Sequence, residues 1–201
     1  MPAVAEKRHF SPAEYLELEQ SADYKSEYFE GEIFAMAGGT VAHARIIANL
    51  TAAVGGALKG GPCAAFSSDL MVAVSATSLR TYPDLTIICG EVKTDPETPV
   101  AATNPTTIIE VLSDSTEAYD RGKKFHNYLR LPSLREYILV SQNEPRIEWF
   151  HRQADGNWAL GAVEGLEGDF AFPELGVAVA MADVYAGVNF PEPPAPGIAH
   201  P

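Results

Sequence analysis

Two carboxylates and a lysine carry the clearest chemistry in this chain. Asp84 directly follows Pro83 and opens the apolar run Leu85 to Ile88, while Glu110 sits in the middle of the run Thr107 to Leu112. Both runs are short and rich in β-branched residues, the pattern of buried strands. A carboxylate flanked by Ile-Ile and Val-Leu is costly to bury unless it is hydrogen-bonded, ion-paired or bound to a metal. Glu110 alone would be explained by a salt bridge to a nearby Lys or Arg. The set argues for more: two acids on neighbouring apolar strands, then a cationic helix over 117–130 with Asp120, Lys123, Lys124 and Tyr128. Asp120, Lys124 and Tyr128 are spaced i, i+4, i+8, which puts them near one helical face. A plain Asp120–Lys124 pair on an exposed face is the alternative use of that spacing.

In order and spacing, Pro83-Asp84, Glu110-Val111-Leu112-Ser113 and Asp120-x-x-x-Lys124-x-x-x-Tyr128 resemble the Uma-type restriction endonuclease family, a branch of the PD-(D/E)XK nucleases. The likeness extends upstream through Lys25 to Gly39 and His43, and downstream through Pro132 to Tyr137. It implies a restriction-endonuclease-like core and a metal-dependent DNA endonuclease. It also implies Asp84 and Glu110 as ligands of Mg²⁺ or Mn²⁺, with the Val111 carbonyl as a third oxygen. One position departs from the superfamily pattern: Leu112 stands where Glu-x-Lys would place a lysine. In the Uma-type branch the following helix supplies that lysine, which points to Lys124. Its role would be to orient the attacking water, or to deprotonate it if partial burial lowers its pKa. Glu27 matches the acid of the N-terminal motif, with Glu32 as its competitor. Arg121, Lys123, Tyr128 and His43 are the substrate-contact candidates. A homodimer follows from the resemblance, since cutting both strands takes two sites.

The elements that must position these residues can be read in order. Ser11-Pro12-Ala13-Glu14 is a capping box with proline at the first helical position, opening a helix to about Gln20. Tyr24 to Ala37 alternates around Gly31 and reads as a strand or tight hairpin. Gly38-Gly39 breaks it, and Thr40 caps a helix to about Leu58 with Ile46, Ile47, Leu50 and Val54 on its apolar face. His43 lies in the first turn of that helix. Cys63 to Phe66 and Leu70 to Val74 read as strands, with Asp69 as a turn residue rather than a third acid. The segment from Cys89 to Pro105 reads as a surface connection. Strands follow at 137–141, 146–151 and 158–163, and a short closing helix at 181–185. These make a mixed-sheet α/β (α+β) fold flanked by the 40–58 and 117–130 helices, with antiparallel strands after residue 137.

Composition bounds what such a fold can be. With 46% hydrophobic and 20% charged residues, the 201-residue chain fits one sizeable core over residues 1–189, followed by a Pro-rich mobile tail at 190–201. No apolar run approaches a membrane span and no apolar leader is evident, so no membrane partner is expected. Cys63 and Cys89 lack metal-ligand spacing and read as reduced core residues, which suits a cytoplasmic location. A net charge of −13 opposes DNA binding. Residues 120–152 soften this: they hold seven of the fourteen Lys and Arg against four acids and net +3. That segment is either a basic patch or a solvated face. No Walker loop, dinucleotide fingerprint or Gly-x-Ser-x-Gly elbow is present, and Ser113 lacks the glycines of a nucleophile elbow. Two further functions remain open: a non-catalytic module on the nuclease fold, and a metal-dependent hydrolase of another substrate.

Overall fold

A computed structural model describes residues 8–36 and 38–191 of the chain. The capping box at Ser11 forms, with Glu14 returning to the Ser11 backbone, and starts helix α1 (Pro12–Ser21). A hairpin of β1 (Ser26–Phe29) and β2 (Glu32–Ala35) follows. Its turn places Glu30 and Gly31 at φ 49° and 86°, a left-handed pair that glycine makes inexpensive at the second position. Helix α2 (Val41–Ala57) is capped by Thr40, whose side chain accepts the His43 N–H. Its Ile46, Leu50 and Val54, spaced by four, are all buried.

The strands assemble into two mixed sheets and a separate hairpin. The first sheet holds β2 and β1, then β5 (Leu79–Thr81), β4 (Met71–Val74) and β7 (Ala101–Ala102). The second holds β3 (Cys63–Ser67), β6 (Leu85–Cys89), β8 (Thr107–Leu112), β9 (Glu136–Ser141), β10 (Arg146–Arg152) and β11 (Trp158–Glu164). Strands β8 and β9 run parallel, and β6 pairs with β8 antiparallel. The expected mixed α/β architecture, with antiparallel strands after residue 137, is therefore present. Alternation on β8 divides the core. Ile109 and Val111 face the cluster under α2, whereas Ile108 and Leu112, flanking Glu110, join Tyr128, Leu131 and Tyr137 on the opposite face. A hairpin not anticipated from the sequence, β12 (Asp169–Phe172) with β13 (Val177–Ala180), buries Phe170 and Phe172 in the α2 cluster. The short closing helix forms as α5 (Met181–Val184).

Three local expectations are corrected. The helix after β8 is not one continuous α-helix to residue 130. It consists of α3 (Glu117–Tyr119), a π-helical turn over Asp120–Lys124, and α4 (Phe125–Tyr128). Thr116, at the N-cap of α3, makes no side-chain capping hydrogen bond. The segment between Cys89 and Pro105 is not merely a surface connection: β7 joins the first sheet, and Asp95 and Thr98 are buried against Arg80. Finally, Cys63 and Cys89 form a disulfide. They are 26 residues apart, and only the β3–β6 register, which sets them directly opposite, makes the pair. The case for a cytoplasmic location leaned on reduced cysteines and loses that support. No helix among the described residues is long and apolar enough to cross a membrane. The Pro-rich tail lies outside the described residues from 192 onward.

Candidate active site

The chain passes from the first sheet to the second through Tyr82-Pro83-Asp84, between β5 and β6. Asp84 therefore lies at the junction of the sheets. Glu27 approaches from β1 and Glu110 from β8, while Asp120 and Lys124 come from the π turn and His43 from the first turn of α2. These six residues line one cavity of about 290 Å³, with Tyr119, Thr116, Phe34 and Met36 also in its wall. Gly39 is needed for this packing, because a Cβ there would lie 2.5 Å from the His43 ring nitrogen Nδ1. The π turn widens the helix at the point where it delivers its side chains to the cavity. Such turns recur at functional sites.

Asp84 and Glu110 interlock across the β6–β8 pair. The Val111 N–H donates to Asp84 Oδ2 at 2.7 Å, and the Asp84 N–H points at Glu110 Oε2 from 3.4 Å. Glu110 Oε1 accepts from the Tyr128 hydroxyl at 2.9 Å and from Lys124 Nζ at 3.0 Å. Lys124 Nζ also lies 3.3 Å from Glu27 Oε1 and 3.5 Å from Asp120 Oδ1. The Thr81 hydroxyl donates to Glu27, and His43 Nε2 stands 3.5 Å from Asp84 Oδ2. Tyr137 closes the back of the cluster by donating to the Asp120 carbonyl at 3.0 Å.

Four carboxyls thus share one ammonium and one imidazole, and the proton affinities follow from that imbalance. Burial pushes Glu110 up to about 8; Lys124 opposes the shift, while Asp120 and Asp84 add to it. Burial also raises Asp120, against Lys124. Burial presses Lys124 towards neutrality, but Glu110, Glu27 and Asp120 outweigh it and hold the ammonium well above its ordinary value. A water-deprotonating lysine would need the opposite shift, so the geometry suits Lys124 to charge and hydrogen-bond donation. Burial likewise opposes charge on His43. The Asp84 carboxylate and the Val111 carbonyl outweigh it, and the ring is raised.

The structure separates several of the sequence candidates. Glu27 lines the cavity and Glu32 does not. Lys124 is 5% exposed and points inward, whereas Lys123 is exposed and outside the cavity wall. Tyr128 is fully buried behind Glu110, so its hydroxyl orients that carboxylate and is closed to substrate. Arg121 also lies outside the cavity wall and is engaged by Glu117 and Glu148. Arg146 pairs with Glu148 and Glu164, so much of the basic segment at 120–152 is neutralised. Sequence reasoning missed Tyr119 and Thr81. Tyr119 immediately precedes Asp120 and could have been found as a neighbour of the motif; nothing in the sequence pointed to Thr81.

As a place for a metal, the junction offers hard oxygen donors: the Asp84 and Glu110 carboxylates, with excess negative charge around them. A small hard cation such as Mg²⁺ commonly takes one or two carboxylates and keeps several waters, so this donor set fits. Among the described residues no group of three or more His, Cys, Asp and Glu side chains forms a ready metal site.

Comparison with known proteins bears on the family and the fold. Residues 12–180 match the Uma2 family, described as "Putative restriction endonuclease". The chain is 37% identical over 183 residues to "Uncharacterized protein slr1290" of Synechocystis sp., covering 90% of this chain and 93% of that protein. A second Synechocystis relative, "Uncharacterized protein sll1609", is 33% identical over 177 residues and is covered in full, by 87% of this chain. The fold matches the crystal structure of a "putative nuclease belonging to DUF820" from Anabaena variabilis with a TM-score of 0.71. That match has 16% identity and covers 88% of this chain and 97% of that one. The chain belongs to the Uma2 family, described as "Putative restriction endonuclease", and shares the fold of the Anabaena "putative nuclease".

Proposed function

We propose that this protein is a divalent-metal-dependent endodeoxyribonuclease whose catalytic centre is the junction cavity. Asp84 and Glu110 would hold Mg²⁺ or Mn²⁺, Lys124 would act on the water or the scissile phosphate, and Glu27 would complete the acid set. The observation that carries this reading is the interlocked Asp84–Glu110 pair in a cavity where carboxyls outnumber cations. A bound cation supplies Lewis-acid polarisation of the phosphoryl oxygen and activation of water.

The chain's own residues do the positioning. Val111 fixes one oxygen of Asp84, and Tyr128 with Lys124 fixes one oxygen of Glu110. Each carboxylate is thereby held in one orientation: Asp84 turns Oδ1 towards a ligand, and Glu110 Oε2 meets only the long 3.4 Å contact from the Asp84 N–H. Lys124, kept as an ammonium by three acids, supplies a preorganised positive donor where the phosphate gains negative charge. Glu27, bridging Thr81 and Lys124, holds that ammonium from the first sheet. A second copy of the chain would be needed to cut both strands of a duplex together.

The test is cleavage of supercoiled plasmid with Mg²⁺, with Mn²⁺ and with EDTA, by the parent and by Asp84→Ala and Glu110→Ala. Cleavage that needs the metal and is lost in both variants is the expected result. Cleavage that persists in EDTA, or in both variants, would overturn the assignment.

A further inference from the structure

The cavity wall contains a large apolar side chain that the catalytic arrangement leaves unused. Phe34 lies on β2, an edge strand, and stays 48% exposed. The β1–β2 register pairs Phe34 directly with Glu27. Residues directly opposite in an antiparallel ladder project from the same face. Phe34 therefore stands on the Glu27 side of the hairpin, and it lines the same cavity as Asp84, Glu110 and Lys124. The half-exposed ring keeps a free apolar face in a wall that also carries Glu27, Asp84, Glu110 and Asp120.

The charge around the cavity sharpens the question of how a nucleic acid would be gripped. Only Lys124 and His43 are cationic among the lining residues, and both already face carboxylates. Arg121, on the same helical segment, is also paired with acids. The usual source of affinity, phosphate neutralisation by free Lys and Arg, is therefore weak at this wall. Stacking of a base on an aromatic ring needs no cation and tolerates any sequence.

We infer that Phe34 is a stacking platform for a nucleobase next to the scissile phosphate, and that the enzyme prefers strands whose bases are unpaired there. The inference rests on the nuclease reading above and adds to it the substrate class. A base inside an intact duplex already has both faces covered by its neighbours. A single strand, flap or frayed end presents a free face to Phe34. Met36, also in the cavity wall, extends the apolar surface on the same side.

The experiment measures binding separately from cleavage. Fluorescein-labelled single-stranded and duplex oligonucleotides are titrated with the full chain in Ca²⁺, followed by anisotropy, for the parent and for Phe34→Ala, Phe34→Leu and Phe34→Trp. The parent should bind the single strand more tightly than the duplex. Phe34→Ala should weaken single-strand binding about 5- to 160-fold, the range expected for loss of one base–aromatic stack. Phe34→Trp should restore it, Phe34→Leu should not, and the salt dependence should be unchanged in all three. Thermal melting checks that each variant folds, and Phe34→Leu keeps the apolar volume if Phe34→Ala does not. Equal binding by the parent and Phe34→Leu, or tighter binding of duplex, overturns the inference. Absence of binding to either oligonucleotide overturns it together with the nuclease reading. If stacking behaves as expected but plasmid and oligonucleotide remain uncut in Mg²⁺ and Mn²⁺, Phe34 stands as a base-stacking residue for single strands, while the nuclease reading and the scissile phosphate beside it fall.

Discussion

The Arg80–Asp95 cluster and the junction cavity both bury charge, and they are built on opposite principles. Beneath the 90–105 segment, Arg80 and Asp95 meet at 3.1 Å, and both are almost fully buried. Every strong group there has a partner. Arg80 also donates to Thr98, and Asp95 accepts from Ser75 and from the backbone N–H groups of Glu97 and Thr98. Burial pushes Asp95 up, but Ser75, Arg80 and those N–H groups outweigh it and hold the carboxyl below its ordinary value. The junction cavity has four carboxyls against Lys124 and His43, and its Glu110 and Asp120 are raised. A balanced cluster is what a structural ion pair looks like. An unbalanced one stores a demand for positive charge, which a ligand can meet. We read the perturbed groups as the mark of a functional site rather than a structural one.

The comparison can be broken most forcefully at the acids of the cavity. Glu110→Ala or Asp84→Ala should lower metal-dependent plasmid cleavage by about 10³-fold or more, since a polarising cation is worth several kcal/mol in a transition state. The fold should be retained by circular dichroism. Titration with Mn²⁺ should stabilise the parent and leave the same variants unchanged, and equal stabilisation of parent and variants would count against the ligand assignment. Lys124→Ala comes next, with a loss of about 10²- to 10³-fold at saturating DNA and metal. Lys123→Ala, exposed on the neighbouring position, should change chiefly the salt dependence of binding. Equal rates for Lys124→Ala and the parent would remove Lys124 from the mechanism.

The balanced cluster should respond in the other currency. Asp95→Ala leaves Arg80 buried beside only the exposed Glu97 carboxylate and should cost about 3–5 kcal/mol of stability, read by urea unfolding. Cleavage per folded molecule should stay near the parent value; a thousandfold loss there would erase the distinction between the two regions. Tyr128→Phe removes one donor from Glu110 and should cost about 1.5–3 kcal/mol, with a smaller loss of activity than Lys124→Ala.

The smallest effect is a difference in pH slope. Glu110, Asp120 and His43 all have raised proton affinity in the folded chain. The metal-free folded state therefore binds more protons than the unfolded one above the ordinary carboxylate range, and stability falls as pH rises towards about 8. Asp95, being lowered, contributes stability above its unfolded value and loses it only as pH falls further. Glu110→Gln should flatten the decline in Tm between pH 5.5 and 8 by several degrees, at about 2–4 °C per kcal/mol. A slope unchanged by Glu110→Gln would show that the excess charge is relieved elsewhere.

What the sequence determined by itself was local. The Ser11 capping box, the Gly31 turn, the Thr40 cap and the strand runs around Asp84 and Glu110 depend on neighbours a few residues away, and each forms as its pattern dictates. The site's membership was partly legible for the same reason: an acid inside an apolar strand and a lysine four residues after an acid announce an unusual environment. What only the tertiary structure decided depends on register and on crossings between sheets. The Cys63–Cys89 pair exists because β3 and β6 align there, and nothing in their 26-residue separation foretells it. Glu27 and Glu32 project from one face of the hairpin, and position along it brings only Glu27 to the cavity; Lys124, already preferred to Lys123 on its motif, is turned inward by the phase of a π-helical turn. The direction of the Lys124 shift needed the distances to three acids from three elements, because burial and ion pairing oppose each other on a lysine and only geometry sets which prevails.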